Sequence, residues 1–342
     1  MSWTSLHGQI HRTLRHRQLL PSGQRLLVAV SGGQDSLCLV KLLLDLQPKW
    51  SWDLAIAHCD HGWRADSAAN AQYIAALAQQ WQLPFFLEAA NLAQFGTKTE
   101  AAARQWRYQA LETIAQAHQY SAVITGHTAS DRAETLLYNL IRGSGTDGLQ
   151  ALVWQRALTP KIQLVRPLLG VSRTATAQFC TQQGLTIWQD SSNQDLNYRR
   201  NRIRQELLPY LQTHFNPQAE RAIAQTAEVL QAEVAYLVLE SDRLLHSAQP
   251  SADQSTWAGL NRDVLRQAPL ALQRRAIRQF LQTNLATMPT FDQIETVVGL
   301  LTAPHRSRSE SLPGRAIAEV DADWIWLKVL PRNQDSPKRV ND

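Results

Sequence analysis

The stretch Val28-Ala29-Val30-Ser31-Gly32-Gly33-Gln34-Asp35-Ser36 constrains the fold of this chain more than any other. The apolar run from Arg25 to Val30 reads as a buried strand, and the apolar pattern from Asp35 to Leu46 reads as a helix. Only one short turn separates them. The first amides of a helix lack partners within it and sit at the positive end of its dipole, so such a turn is a ready anion cradle. Gly32 and Gly33 admit unusual φ values and let a phosphate approach with no side chain in the way. Ser31 and Ser36 add hydroxyl donors, and Asp35 can hold a metal ion or a metal-bound water. The Gly-Lys-Ser/Thr ending of a Walker loop occurs nowhere in the sequence, so this is a different phosphate device.

The remainder of the first half alternates strands and helices. Leu54 to Cys59 reads as a strand, Asp66 to Gln82 as a helix, Pro84 to Ala89 as a strand and Thr97 to His118 as a helix. Thr97 and Glu100 have capping-box spacing. Ser121 to Thr125 is a further strand and Asp131 to Ile141 a further helix. From Ile162 to Gln189 come a strand, a helix over Ser172 to Gln183 stopped by Gly184, and a short strand. Such alternation predicts an α/β fold, an open and mostly parallel sheet with helices on both faces. Ligands of these folds collect beyond the carboxyl ends of the strands, where the Ser31 turn would lie. The pattern changes near Phe215-Asn216-Pro217 and is helical to about Ala303, interrupted around Pro250. Short β segments follow at Glu310-Leu312, Arg315-Val320 and Trp324-Val329. The expected organisation is therefore a nucleotide-binding domain over 1–215, a smaller, mainly helical domain with a short β tail over 216–332, and a disordered end over 333–342.

Charge narrows the class of partner. The chain has 342 residues, a net charge of +5 and, of its 34 basic residues, only six lysines, leaving 28 arginines. Arginine's planar fork suits phosphate and base edges, so a nucleic-acid partner is plausible. The three cysteines (38, 59 and 180) form no CxxC pair, which argues against a disulfide framework or zinc knuckle and for a reducing cytoplasm. No apolar run is long enough to span a bilayer, so no membrane role is expected. The basic, acid-free first twenty residues superficially suggest a transit peptide but read better as a helix covering the sheet.

Four further clusters fall where such a sheet gathers chemistry. His58-Cys59-Asp60-His61-Gly62-Trp63-Arg64 ends the second strand, and His58, His61 and Arg64 are candidates to face a nucleotide. Thr125-Gly126-His127-Thr128-Ala129-Ser130-Asp131-Arg132-Ala133-Glu134 repeats the strand–turn–helix design. Asp131 and Glu134 share a helix face, which suits a cationic amine or magnesium, although acidic residues also favour helix starts for dipole reasons. Gly143-Ser144-Gly145-Thr146-Asp147-Gly148 spells a dinucleotide fingerprint but follows a helix, so with Arg142 it reads as a flexible lip over the site or a contact for a phosphate chain. Finally, Tyr198-Arg199-Arg200-Asn201-Arg202-Ile203-Arg204 packs four arginines into six residues, which favours RNA or nucleotide contact.

The spelling Ser-Gly-Gly-x-Asp-Ser resembles the loop of the ATP pyrophosphatase (PP-loop) superfamily, an adenine nucleotide alpha hydrolase-like fold. The ordered set SGGQDS (31–36), AHCDHGWR (57–64), TEAAARQWRY (99–108), TGHTASDRAETLLYNLIRGSGTDGLQAL (125–152), VRPLL (165–169) and DSSNQDLNYRRNRIRQELLP (190–209) resembles the tRNA(Ile)-lysidine synthetases. The resemblance implies a ligase that joins L-lysine to the wobble cytidine of tRNA(Ile) with a CAU anticodon, through an adenylated cytidine, using ATP. It implies that Ser31, Gly32, Gly33, Gln34, Asp35 and Ser36 bind ATP phosphates, with Asp35 on Mg²⁺. His58, Arg104 and His127 would line the adenylation site, and Asp131 and Glu134 would hold lysine. Arg64, Arg142, Gly143, Ser144, Gly145, Arg200, Asn201 and Arg204 would face the tRNA or lysine. Many members carry an acidic pair where this chain has Ser130-Asp131, which unsettles the division of labour between Asp131 and Glu134. The rival readings are a tRNA thiolase of the same superfamily, which its scattered cysteines disfavour, and a non-catalytic RNA-binding protein with a degenerate nucleotide fold.

Overall fold

The computed structural model describes residues 3–63, 66–90, 99–188, 195–250, 258–285 and 287–329. In chain order the first half comprises α1 (Ser5–His16), β1 (Arg25–Ala29), α2 (Gln34–Trp50), β2 (Asp53–Asp60), α3 (Ser67–Gln80), β3 (Phe85–Ala89) and α4 (Glu100–Ala117). It continues with β4 (Ala122–Ile124), α5 (Ala129–Ile141), α6 (Thr146–Leu149), β5 (Gln155–Thr159), β6 (Ile162–Val165) and α7 (Arg173–Gln182). These strands form one six-stranded sheet in the order β3-β2-β1-β4-β6-β5. All neighbours are parallel except β5, which runs antiparallel to β6.

The expected α/β architecture is therefore present, and alternation of side chains explains why the strands read as continuous apolar runs. Along β1, Leu26 and Val28 enter a core with Leu37, Val40 and Phe179, while Leu27 enters a second core with Leu111, Ile114 and Val123. A strand buried on both faces has no polar positions left to alternate with apolar ones. From β1 the chain moves outward through β2 and β3 and then returns to place β4 on β1's other side. The order thus reverses between β1 and β4, which marks a crevice at their carboxyl ends for ligand.

Beyond the sheet come α8 (Arg199–Arg202), a π-helical turn (Ile203–Leu207), α9 (Leu208–His214) and the long α10 (Ala219–Ala248). The chain divides into two compact units, Met1–Gln231 and Ala232–Asp342. Within the second lie β7 (Gly259–Asn261), α11 (Arg262–Arg266), α12 (Leu270–Asn284), α13 (Phe291–Leu300), β8 (Ala316–Asp321) and β9 (Trp324–Val329). Its strands form an antiparallel sheet, β7-β9-β8, over a core that includes Leu260, Phe280, Val297 and Ile325. No described helix is long and apolar enough to cross a membrane.

Several local expectations are corrected. Residues 185–188 form no strand; the sheet's far edge is instead β5, whose exposed, arginine-bearing sequence carries no apolar signal. β7 interrupts a stretch that reads as helical, because a three-residue strand is too short to show a period. α2 runs to Trp50 through Pro48 and ends at Ser51 in the left-handed region. The cap of α4 is Thr99, which accepts from the Ala102 amide, rather than Thr97, which lies outside the described residues together with 333–342. Glu310-Leu312 is reduced to a single bridge between Leu312 and Ala316.

Candidate active site

The turn after β1 has the features of an anion cradle. Gly32 has φ +89°, and a Cβ there would fall 2.5 Å from Asn70 Oδ1, so only glycine fits both the backbone and its surroundings. Asn70 on α3 secures the turn by donating to the Ser31 carbonyl at 3.0 Å. Gly33 is the N-cap of α2 and has no side chain to cap it, while its own amide donates to the Ser31 hydroxyl at 3.4 Å. Ser36 donates to the Gly33 carbonyl at 2.9 Å, and its oxygen lies 3.2 Å from the Ser31 hydroxyl.

The β4 turn is pressed against the same corner. A Cβ on Gly126 would lie 2.8 Å from the Asp35 carbonyl, so this glycine lets the Thr125–Thr128 turn pass over the first turn of α2. His58, at the end of β2, is buried, with Nδ1 2.7 Å from the Val30 carbonyl. His127 Nδ1 is 2.9 Å from the Thr125 hydroxyl. Burial pushes the His127 imidazole well below its ordinary range, and Arg166, Arg104 and Arg107 push it the same way against the opposing pull of Asp131. Arg104 itself is half-buried over the Tyr108 ring, 5.0 Å from its centroid, among other arginines.

The acidic pair of α5 is more committed than its spacing implies. Thr128 is the N-cap and Asp131 occupies the third helical position, forming a capping box. Asp131 Oδ2 accepts from both the amide and the hydroxyl of Thr128 at 2.8 Å. Burial would raise the Asp131 carboxyl, but His127, Arg173, the Thr128 amide and Arg204 outweigh it and hold it low. Glu134, only 2% exposed, receives a two-pronged contact from Arg204, Nε to Oε1 at 2.6 Å and Nη2 to Oε2 at 2.8 Å. Burial still raises the Glu134 carboxyl against the pull of Arg204. Arg204 reaches Asp131 as well, at 3.5 Å.

Two of the arginine-rich segment's residues expected to face tRNA or lysine point into the protein, and Arg204 lines the cavity described next. Arg204 turns inward from the π-helical turn onto Glu134, and buried Asn201 donates to the Asp195 carbonyl at 2.9 Å, pinning its own turn. Arg200 reaches the Thr135 hydroxyl at 3.4 Å. Arg142, Gly143 and Gly145 are exposed and Ser144 half-exposed at the end of α5, outside the cavity described next; Arg64 lies outside the described residues.

A cavity of about 390 Å³ opens beside these groups, lined among others by Gln34, Ser130, Glu134, Arg173, Arg204 and Glu220. Sequence reasoning missed Arg173. Its Nε and Nη2 both lie 3.0 Å from Asp35 Oδ2, and its Nη1 lies 4.0 Å from Glu134, so one guanidinium bridges the phosphate corner and the cavity. The available signal was that α7 also opens directly after the turn that follows a parallel strand, β6. Nothing in the sequence pairs Ser130 with Glu220, 90 residues away, whose carboxylate accepts from the Ser130 hydroxyl at 2.6 Å.

The Asp35 carboxylate does not fit a resident Mg²⁺ as arranged. Oδ1 accepts from the Thr176 hydroxyl and Oδ2 from Arg173, and no group of three or more metal-ligating side chains occurs among the described residues. Gln34 likewise donates to the Arg173 carbonyl at 2.8 Å and to Thr176 at 3.0 Å, tying α2 to α7. Burial raises the Asp35 carboxyl against the pull of Arg173 and Thr176.

Comparison with known proteins identifies the family of the chain. A family model described as a PP-loop domain matches residues 6–211, and one described as a TilS substrate binding domain matches 260–324. The chain is 60% identical to a tRNA(Ile)-lysidine synthase of Nostoc sp. over 96% of its own length and 98% of the relative's. It is 52% identical to that of Synechocystis sp., covering 95% and 98%, and 37% identical to a chloroplastic one from Zygnema circumcarinatum, covering 84% and 78%. Among solved structures, a U34-tRNA thiolase from Methanococcus maripaludis superposes with a TM-score of 0.56 at 15% identity, covering 66% of this chain and 80% of that one, a likeness of fold alone.

Proposed function

Because this chain belongs to the tRNA(Ile)-lysidine synthase family, we propose that it is a ligase that forms a carbon–nitrogen bond between L-lysine and C2 of the wobble cytidine of tRNA(Ile). ATP is the co-substrate and the tRNA with a CAU anticodon the acceptor. The product decodes AUA instead of AUG. A reducing cytoplasm suits the chain's three free cysteines as the compartment for this reaction.

The cytidine C2 oxygen is a poor leaving group. In the first step that oxygen attacks the α-phosphorus, an O–P bond forms, and pyrophosphate departs. In the second, the lysine ε-amine, having lost a proton, attacks C2, the C–N bond forms, and the C2–O bond breaks with AMP as leaving group. The Ser31–Ser36 turn holds the β and γ phosphates and offsets the charge that develops as they depart. Magnesium, if carried in with ATP, would offset phosphate charge, and no described side-chain cluster would hold it. Burial keeps His127 neutral at physiological pH, so it can orient a reacting group by hydrogen bonding there but is a weak proton acceptor. Glu134, Arg204 and Arg173 form part of the polar wall of the lysine cavity, with Asp131 behind them in contact with Arg204.

The observation that carries this reading is the joining of two features at one corner: a glycine turn shaped for phosphate and, bridged to it by Arg173, a cavity with paired opposite charges. The test is to supply ATP, L-lysine and unmodified tRNA(Ile) and examine the wobble nucleoside by mass. A mass gain corresponding to lysine less water, with AMP formed only when all three are present, is expected. ATP hydrolysis without a change in the nucleoside overturns the reading.

A further inference from the structure

The two carboxylates on the cavity wall are not equivalent. Glu134 is already neutralised by the fork of Arg204. Asp131, just behind it, spends one oxygen on the cap of α5 and shares Arg204 through the other. Glu220 enters from the first turn of α10 and meets a neutral hydroxyl, that of Ser130, at 2.6 Å. Ser130 in turn accepts from the Arg173 amide at 3.1 Å, so its hydrogen is directed at Glu220 and its orientation is fixed from the backbone. A half-buried carboxylate held by a single neutral donor keeps lone pairs and its full charge for a cation. Its place in the first turn of a helix would account for an acidic residue there, but a charge serving only the dipole needs no neighbour 90 positions away.

We propose that Glu220 is a binding residue for the lysine substrate, seating its α-ammonium group, with Ser130 as the positioning residue that aims it. This rests on the lysine-ligase reading above. The chemistry selects which of lysine's two ammonium groups it takes. A carboxylate contact keeps an ammonium protonated, which is the opposite of what the attacking ε-amine needs. The group held by Glu220 must therefore be the one that does not react. Arg173 and Arg204 line the same cavity, each already paired with carboxylates of the protein, and Gln34 joins the cavity to the phosphate turn.

The test uses the full chain and steady-state kinetics with lysine, ATP and tRNA, comparing wild type with Glu220→Gln and Glu220→Asp. Glu220→Gln should raise the KM for lysine roughly 10–100-fold, the effect of losing one charge-assisted hydrogen bond. The KM for ATP, and pyrophosphate release before lysine is added, should change less than about threefold, and Glu220→Asp should recover part of the loss. Norleucine, which keeps the α-amine and lacks the ε-amine, should weaken as a competitive inhibitor by the same factor as lysine. An unchanged lysine KM, or a KM for ATP that rises in parallel, overturns the proposal. A raised lysine KM with unaltered norleucine inhibition overturns it too, since Glu220 would then hold the ε-group. Failure of the wild type to form lysidine would instead strike the underlying reading, so the two failures are distinguishable.

Discussion

At the scale of single residues, Arg204 shows how far a side chain's role can depart from its neighbourhood in sequence. It belongs to an arginine-rich run whose sequence favours RNA or nucleotide contact, yet it satisfies a carboxylate that is 2% exposed. Removing one member of a buried pair leaves an uncompensated charge, at a cost of about 3–5 kcal/mol where both are fully enclosed. Arg204 keeps 24% side-chain exposure, so Arg204→Ala should cost about 3 kcal/mol in urea unfolding, the lower end of that range. Adding Glu134→Gln to Arg204→Ala should restore part of this stability, and strictly additive losses would show that the two side chains do not act as a pair. His127 yields a pH prediction. Its folded pKa lies below the unfolded value, so between the ordinary value of 6.5 and its depressed one the unfolded chain binds a proton that the native state refuses. Stability at this residue is full above 6.5 and is lost as the pH falls through that window. The urea midpoint of the wild type should therefore drop more between pH 7.5 and 5.5 than that of His127→Gln, and equal drops would place the titration elsewhere. His127 and Asp131 lie in each other's field, so the comparison reads the titration of the pair.

Elements were legible in proportion to how much local pattern they carry. β1, β2 and α2 announced themselves because long apolar runs flank a glycine turn, and α5 because its apolar face follows a strand end. Gly32 was readable as a phosphate-turn glycine from its spelling, whereas Gly126 needed the fold, since only the approach of the β4 turn to Asp35 gives it a reason. β5 stayed hidden because an exposed edge strand need not be apolar, and the π-helical turn because a one-residue change in hydrogen-bond register leaves no mark in composition. That turn carries Arg204, as widened turns at functional sites often carry a side chain that regular spacing would aim elsewhere. The start of α5 offers the element-scale prediction. Thr128 caps the helix and also donates to Asp131, so Thr128→Ala should cost about 1 kcal/mol by circular-dichroism melting. It should also raise the lysine KM by loosening Asp131, while Thr128→Ser should behave as wild type in both. A variant that melts early with an unchanged lysine KM would reduce the acidic residue at 131 to a helix-capping part.

Across the whole molecule, charge and architecture divide the recognition problem. The sheet and its reversal point between β1 and β4 explain why the nucleotide corner was predictable from strand order, while Ser130 and Glu220 meet only because α10 returns 90 residues later. Binding of a polyanion by an arginine-rich chain of net charge +5 draws on counterion release, so its affinity must fall steeply with salt. Contacts buried in the lysine cavity should add little to that dependence, because their charges are already paired within the protein. Arg142 is different: it is exposed at the end of α5, stacked over the Tyr138 ring at 5.4 Å, next to the left-handed Gly143. If this lip meets the tRNA backbone, Arg142→Ala should weaken tRNA binding and lower the slope of log affinity against log salt by about one. The KM values for ATP and lysine should hold, because neither the phosphate turn nor the cavity wall includes Arg142. Filter-binding titrations between low and physiological salt read this directly. A parallel shift with unchanged slope would mean that Arg142 shapes the loop, and the phosphate contacts would then have to be sought on other exposed arginines such as Arg199 and Arg202.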